Sequence, residues 1–222
     1  MLTSARYHAA CSLALASLLV CQPSLAIQTP LSETAVREAY FLGQHHDQSV
    51  TDFFAKYAKN LPTPRTGPNI AAIRLLTPFA QAVSLSANHT GNYSAQQAEQ
   101  EHDPDSETVL VQVDIYLTDS YGPLLTAPNN SGSGSPSGLT LRPADFWHDF
   151  DVSVTSESHS VLPKGTSGQP IYSCSEGGCI LVGATITLTF VAAKFPTDSI
   201  TVNVAPPEGE ELNVDFNLPS FR

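Results

Sequence analysis

Three short stretches gather side chains that could do chemistry. In "GQHHDQ", His45, His46 and Asp47 are of the types that bind zinc, copper or iron. Joined by a distant carboxylate or histidine such as His148, they would make a metal-dependent enzyme. Neighbouring residues on one chain usually point apart, however, and no HExxH follows. The competing reading is a polar loop between two helices, with Asp47 or Ser49 capping the second. In "EHDPDSE", Glu101, His102, Asp103, Asp105 and Glu107 offer oxygens of the kind calcium takes. They lack the ordered spacing of an EF-hand, and a solvated acidic linker competes. In "FWHDFDVSV", Trp147, His148, Asp149 and Asp151 could form a catalytic or sugar-stacking group. Read as a strand, Trp147, Asp149 and Asp151 share one face, and His148, Phe150 and Val152 the other. That mixed pattern favours a Trp covering the end of the fold. Ser167 lies in Gly-Thr-Ser-Gly-Gln, which is not a G-x-S-x-G elbow.

A fourth stretch, "YSCSEGGCILVG", places Cys174 and Cys179 around Glu-Gly-Gly. How it reads depends on the compartment. The N-terminus carries Arg6, an apolar run from Ala9 to Val20, and then Ser24-Leu25-Ala26. That is the order of a secretory signal peptide, predicted to span 1–26 with cleavage after Ala26. The run is too short for a helix that must cross about 30 Å of hydrocarbon. Cys21 follows Leu18-Leu19-Val20, a loose likeness to a lipid-attachment box, but a β-branched Val20 stands where a small residue is needed. Cleavage removes Cys11 and Cys21. Cys174 and Cys179 remain, in an oxidising setting, and Gly177-Gly178 frees the backbone to turn between them. A disulfide-closed loop is the favoured reading. A zinc site would need two further ligands, and a redox dithiol is usually Cys-x-x-Cys before a helix.

Composition narrows the function class. The chain has 222 residues and a formal net charge of −11. An acidic balance argues against nucleic acid and anionic membrane surfaces, which are bound through Lys and Arg. The length after cleavage suffices for one domain with a core of its own. Asn88-His89-Thr90, Asn92-Tyr93-Ser94 and Asn129-Asn130-Ser131 match the glycosylation sequon; in a bacterial chain these matches are chance.

Positioning elements fall into two textures. From 27 to 66 the pattern is helical. Ser32 is an N-cap and Gly43 a stop for one helix. Ser49 and Asp52 open a second, whose apolar residues Val50, Phe53, Phe54, Tyr57 and Leu61 share one face until Pro62. From 67 to 222 the pattern is mostly strand. "NIAAIRLLTPFAQAVSLSA" holds a strand, then a second strand or a helix. "YSAQQAEQE" is a short helix with Ser94 and Gln97 as a capping box. In "TVLVQVDIYLT", Val109, Val111, Val113, Ile115 and Leu117 face one side and Gln112, Asp114 and Tyr116 the other. Four further alternating stretches follow, with a Gly/Ser/Pro loop at 126–138. The predicted fold is mainly β with N-terminal α: an antiparallel β-sandwich capped by a short helical hairpin.

The stretches "EAYFLGQ", "GPNIAAIRLLTPFAQAV" and "ADFWHDFDVSV", with the C-terminal strands, resemble exported bacterial proteins of unassigned function. The likeness covers most of the chain. It implies a periplasmic, cell-surface or secreted setting and carries no catalytic residue. The final strands resemble an immunoglobulin-like sandwich, which hosts many functions. The expectation is a non-catalytic binding or structural module for an unidentified protein or glycan, with no cofactor; the alternative is the metal-dependent enzyme of His45 and His46.

Overall fold

The structure is a computed structural model that describes residues 27–89, 91, 93–126, 139–196 and 198–221. The predicted signal peptide, and the 126–138 loop apart from Thr126, lie outside the described residues. Four helices are present among them: α1 (Glu33–Gln44), α2 (Gln48–Ala55), α3 (Pro78–Asn88) and α4 (Ala95–Glu101). The strands are β1 (Ala58–Asn60), β2 (Asn69–Leu76), β3 (Thr108–Tyr116), β4 (Leu124–Thr126), β5 (Leu139–Leu141) and β6 (Asp151–Ser156). They continue with β7 (His159–Val161), β8 (Gly165–Ser175), β9 (Gly178–Val191), β10 (Ser199–Ala205) and β11 (Leu212–Asn217). No helix among the described residues is long and apolar enough to cross a membrane.

Two antiparallel sheets face each other. One runs β1-β2-β3-β9-β8, the other β11-β10-β6-β7, and β4-β5 form a separate ribbon. The alternation that predicted β3 is realised: Val109, Val111, Val113 and Ile115 are fully buried and meet inward residues of β9, Ile186 and Leu188 among them. Val154, Ile200, Val202, Val204 and Phe216 close the core from the second sheet. Each such side chain contributes roughly 1.5–3 kcal/mol by leaving water.

The alternation of β2 breaks between Ile70 and Ile73, yet Ile70, Ile73 and Leu75 all reach this core. A bulge lies between Ile70 and Ala72 and shifts the phase by one residue. On the sheet's other face, Asp114 is buried. It is paired with Arg74, and Thr185 Oγ1 donates to it at 2.9 Å.

The stretch after β2 is a helix, α3, not a second strand. Thr77 Oγ1 accepts the Ala80 N–H at 3.2 Å, and Pro78 occupies the first turn, where no N–H is missed. Together α1, α3 and α4 build a second apolar core around Val36, Phe79 and Val83. The helical hairpin therefore packs mainly on other helices rather than straight onto the sheets.

Three sequence expectations need correction here. Helix α1 runs one residue past Gly43, which is buried inside it. A Cβ at Gly43 would lie 2.5 Å from the Val83 carbonyl oxygen, so glycine permits the close crossing of α1 and α3 rather than ending the helix. Helix α2 stops at Ala55, and residues 58–60 form β1 instead of continuing to Leu61. The edge of β2 supplies the reason: Leu75 N–H donates to Tyr57 O, and Leu61 N–H to Ala71 O, both at 2.9 Å. Pro62 also pushes Leu61 toward extended backbone. The aromatic stripe is thereby split. Phe53 and Phe54 pack on the helical core, Leu61 packs on the sandwich core, and Tyr57 lies between the rings of Phe53 and Phe221. Finally, Phe146–Asp149 is a 3-10 turn, not a strand start. Phe146 and Phe150 enter the core, and the Trp147 indole lies against Gly168 of β8, where a Cβ would collide with it.

Candidate functional site

A groove of about 560 Å³ opens between the helical layer and the outward face of β2 and β3. Its size falls in the usual range for small-ligand sites. Leu76, Leu110 and Gln112 come from the sheet, and Tyr40, Leu85 and Tyr93 from the helical side. The alternation of β3 explains the sheet contribution. Residues out of phase with the buried valines must point away from the sandwich core, and Leu110 and Gln112 are two of these.

The tyrosines are held by each other and by the backbone. Tyr40 OH donates to the Tyr93 carbonyl at 2.9 Å, and the rings stand 5.7 Å apart. His89 stacks on Tyr93 at 4.0 Å. Burial pushes the Tyr93 hydroxyl above its ordinary pKa, and the charge of Glu101 adds to this. It therefore stays a neutral phenol through the physiological range. Helix α4 begins with the predicted capping box: Gln97 N–H donates to Ser94 Oγ at 3.2 Å, and Ser94 N–H to Gln97 Oε1 at 2.9 Å.

Glu107 and His102 also line the groove. Glu107 is only 9% exposed. Its Oε1 accepts the Leu31 N–H at 2.6 Å and pairs with His102 Nε2 at 2.9 Å. Its Oε2 accepts from Thr29 Oγ1 at 2.6 Å. The residue read from sequence as part of a solvated linker is instead a buried clasp. It ties the strap before α1 to the start of β3, and it orients the imidazole toward the groove wall. The sequence clue was its place directly before a strongly alternating strand. Asp103 has a local task, accepting the Asp105 N–H at 3.0 Å to start the 3-10 turn Pro104–Ser106.

His45, His46 and Asp47 lie together in the exposed turn between α1 and α2. Asp47 caps α2. Its Oδ1 accepts the Ser49 N–H at 2.8 Å and the Ser49 hydroxyl at 2.5 Å. These bonds hold its carboxyl below the usual carboxylate range. His45 Nδ1 sits 3.4 Å from the same hydroxyl, and His46 has a left-handed φ of 50°. His148 is elsewhere, stacked on Trp147 at 3.6 Å between ring centres. Among the described residues, no three His, Cys, Asp or Glu side chains converge as a metal site.

Cys174 and Cys179 are joined by a disulfide. They are a directly opposed pair at the end of the β8–β9 hairpin, one step before Ser175 and Gly178. Gly178 has a φ of 121°, a conformation that favours glycine in the tight turn. The staple is solvent-exposed, with Tyr172 and Ile180 beside it on the hairpin.

A comparison with protein-family models finds no match, and no curated protein matches the chain.

Proposed function

We propose that the protein is an exported, non-catalytic binding module that holds a segment of a protein or a glycan in the groove between its helical layer and its sandwich. The observation that carries this reading is the composition of the groove. Two fixed tyrosines and the leucines Leu76, Leu85 and Leu110 give apolar area, and the amides of Asn88 and Gln112 supply paired donors and acceptors. Such a mixture suits sugar faces and hydroxyls, or an extended peptide. Export is supported by the leader-like sequence at 1–26 and is consistent with the exposed disulfide. The sandwich is read here as immunoglobulin-like.

Titration of the mature protein with a panel of soluble oligosaccharides and unstructured peptides, followed by amide chemical shifts, tests the site. At least one class is expected to saturate and to move the resonances of Leu85, Tyr93 and Gln112. Leu85→Glu, on the exposed side of α3, should weaken that binding about tenfold or more. Saturable binding that maps elsewhere, or none from either class, overturns the reading.

A further inference from the structure

A second cleft, of about 270 Å³, lies where the chain crosses from β7 to β8, between the edges of the two sheets. Its floor is aromatic: Phe190 and Phe195 are buried, with ring centres 5.2 Å apart in an edge-on contact. Its rim is apolar and open. Leu162 is 83% exposed and Val191 38% exposed, although both line the cleft. Two of the chain's four lysines, Lys164 and Lys194, complete the wall. Among the described residues neither ammonium takes part in an ion pair, and no acidic side chain lines the cleft. In a chain of net charge −11, this is a local reversal of charge set around an apolar hole. The cleft is also firmly built, since Lys164 N–H donates to Thr189 O at 2.7 Å and Phe195 N–H to Ala192 O at 3.0 Å.

We infer that this cleft binds an anionic amphiphile of medium chain length, a free alkyl carboxylate. The chain would lie over Phe190 and Phe195 under Leu162, and the carboxylate would meet Lys164 and Lys194. Charge complementarity selects the head, since two ammonium groups with no ion pair among the described residues favour an anion and disfavour an amine. Volume selects the tail. The cleft falls just below the range that holds drug-sized ligands, so it takes a short acyl segment rather than a whole lipid. The assignment is independent of the groove between helices and sheet.

Decanoate, kept below its micellar concentration, is the probe, with decanol as its neutral counterpart. Decanoate is expected to saturate one site and to shift the amides of Leu162, Lys164, Val191 and Lys194, leaving Tyr93 and Gln112 unmoved. Affinity should rise about fourfold for each methylene from octanoate to decanoate. The double variant K164Q/K194Q, on exposed side chains that the fold does not need, should bind decanoate about tenfold more weakly at low salt and decanol unchanged. Three outcomes overturn the assignment: no saturation, equal response of carboxylate and alcohol in both proteins, or shifts confined to the groove. Binding to anionic lipid vesicles but not to free decanoate would also overturn it, by making the cleft a membrane contact.

Discussion

Glu107 accepts the backbone N–H of Leu31 at 2.6 Å across a sequence separation of 76 residues. Leu31 belongs to the helical core and Ile27 to the sandwich core, so this bond fastens a strap that touches both. Replacing Glu107 with Ala would strand a buried N–H, the Thr29 hydroxyl and one face of His102. The expected loss is about 2–4 kcal/mol in a denaturant titration. Glu107→Gln keeps one acceptor oxygen and should lose less. Equal stability of the Ala variant and the parent would show that water replaces the clasp without cost.

Asp47 makes the turn between α1 and α2 sensitive to acid. The Ser49 hydroxyl and N–H hold its carboxyl below its ordinary pKa. A pKa lowered by folding gives stability that is present above the unfolded value and is lost as pH falls through the folded one. The capping contribution is therefore intact at neutral pH and fades on acidification. Asp47→Asn keeps an acceptor but cannot titrate. The protection factors of the α2 amides, corrected for the intrinsic slowing of exchange in acid, should fall on acidification in the parent and fall less in the variant. An identical fall in both would place the acid response elsewhere.

Sequence periodicity was most informative where one residue has one environment. The buried valines of β3, the capping box of α4 and the pairing of Cys174 with Cys179 were all legible because each rests on local spacing. The extent of α2 was not, because the hydrogen bonds that turn residues 58–60 into a strand come from β2, a non-local partner. The phase of β2 was obscured by its bulge. Within the candidate site, Leu110 and Gln112 could be placed on the outward face of β3, but Tyr40, Tyr93 and Glu107 come from segments far apart in the chain. Only the docking of α1 and α4 brings these together. The His45-His46-Asp47 run is conspicuous in the sequence because rare residue types stand side by side, whereas these commoner ones meet only in space.

Gly43 sets how closely α1 and α3 approach. A methyl there would meet the Val83 carbonyl oxygen at 2.5 Å and the Ser86 Cβ at 2.7 Å. Helix propensity alone favours alanine over glycine by about 1 kcal/mol, so the two effects oppose each other. Crowding of backbone by an added methyl typically costs 1–3 kcal/mol, and it should win here because neither contact is the end of a flexible side chain. Gly43→Ala is expected to lower the melting temperature and to disturb the Tyr40 and Ser86 resonances. A rise in stability would mean that the helices part easily, and that the groove they border is compliant.

The disulfide should matter little to global stability. Cys174 and Cys179 close a loop already closed by the β8–β9 register, and both lie at the exposed end of that hairpin. Constraining so short a loop removes little entropy from the unfolded chain, so replacing both cysteines with serine should cost no more than about 2 kcal/mol. The core residues of β9, Ile186 and Leu188 among them, lie further along the strand and keep their contacts. What should change is local: amide exchange at Tyr172–Leu181 is expected to quicken as the hairpin end frays, while exchange along β3 stays the same. Intact mass before and after reduction with alkylation would verify the bond in the purified protein. A global loss well beyond 2 kcal/mol would show that the hairpin end takes part in holding the sandwich together.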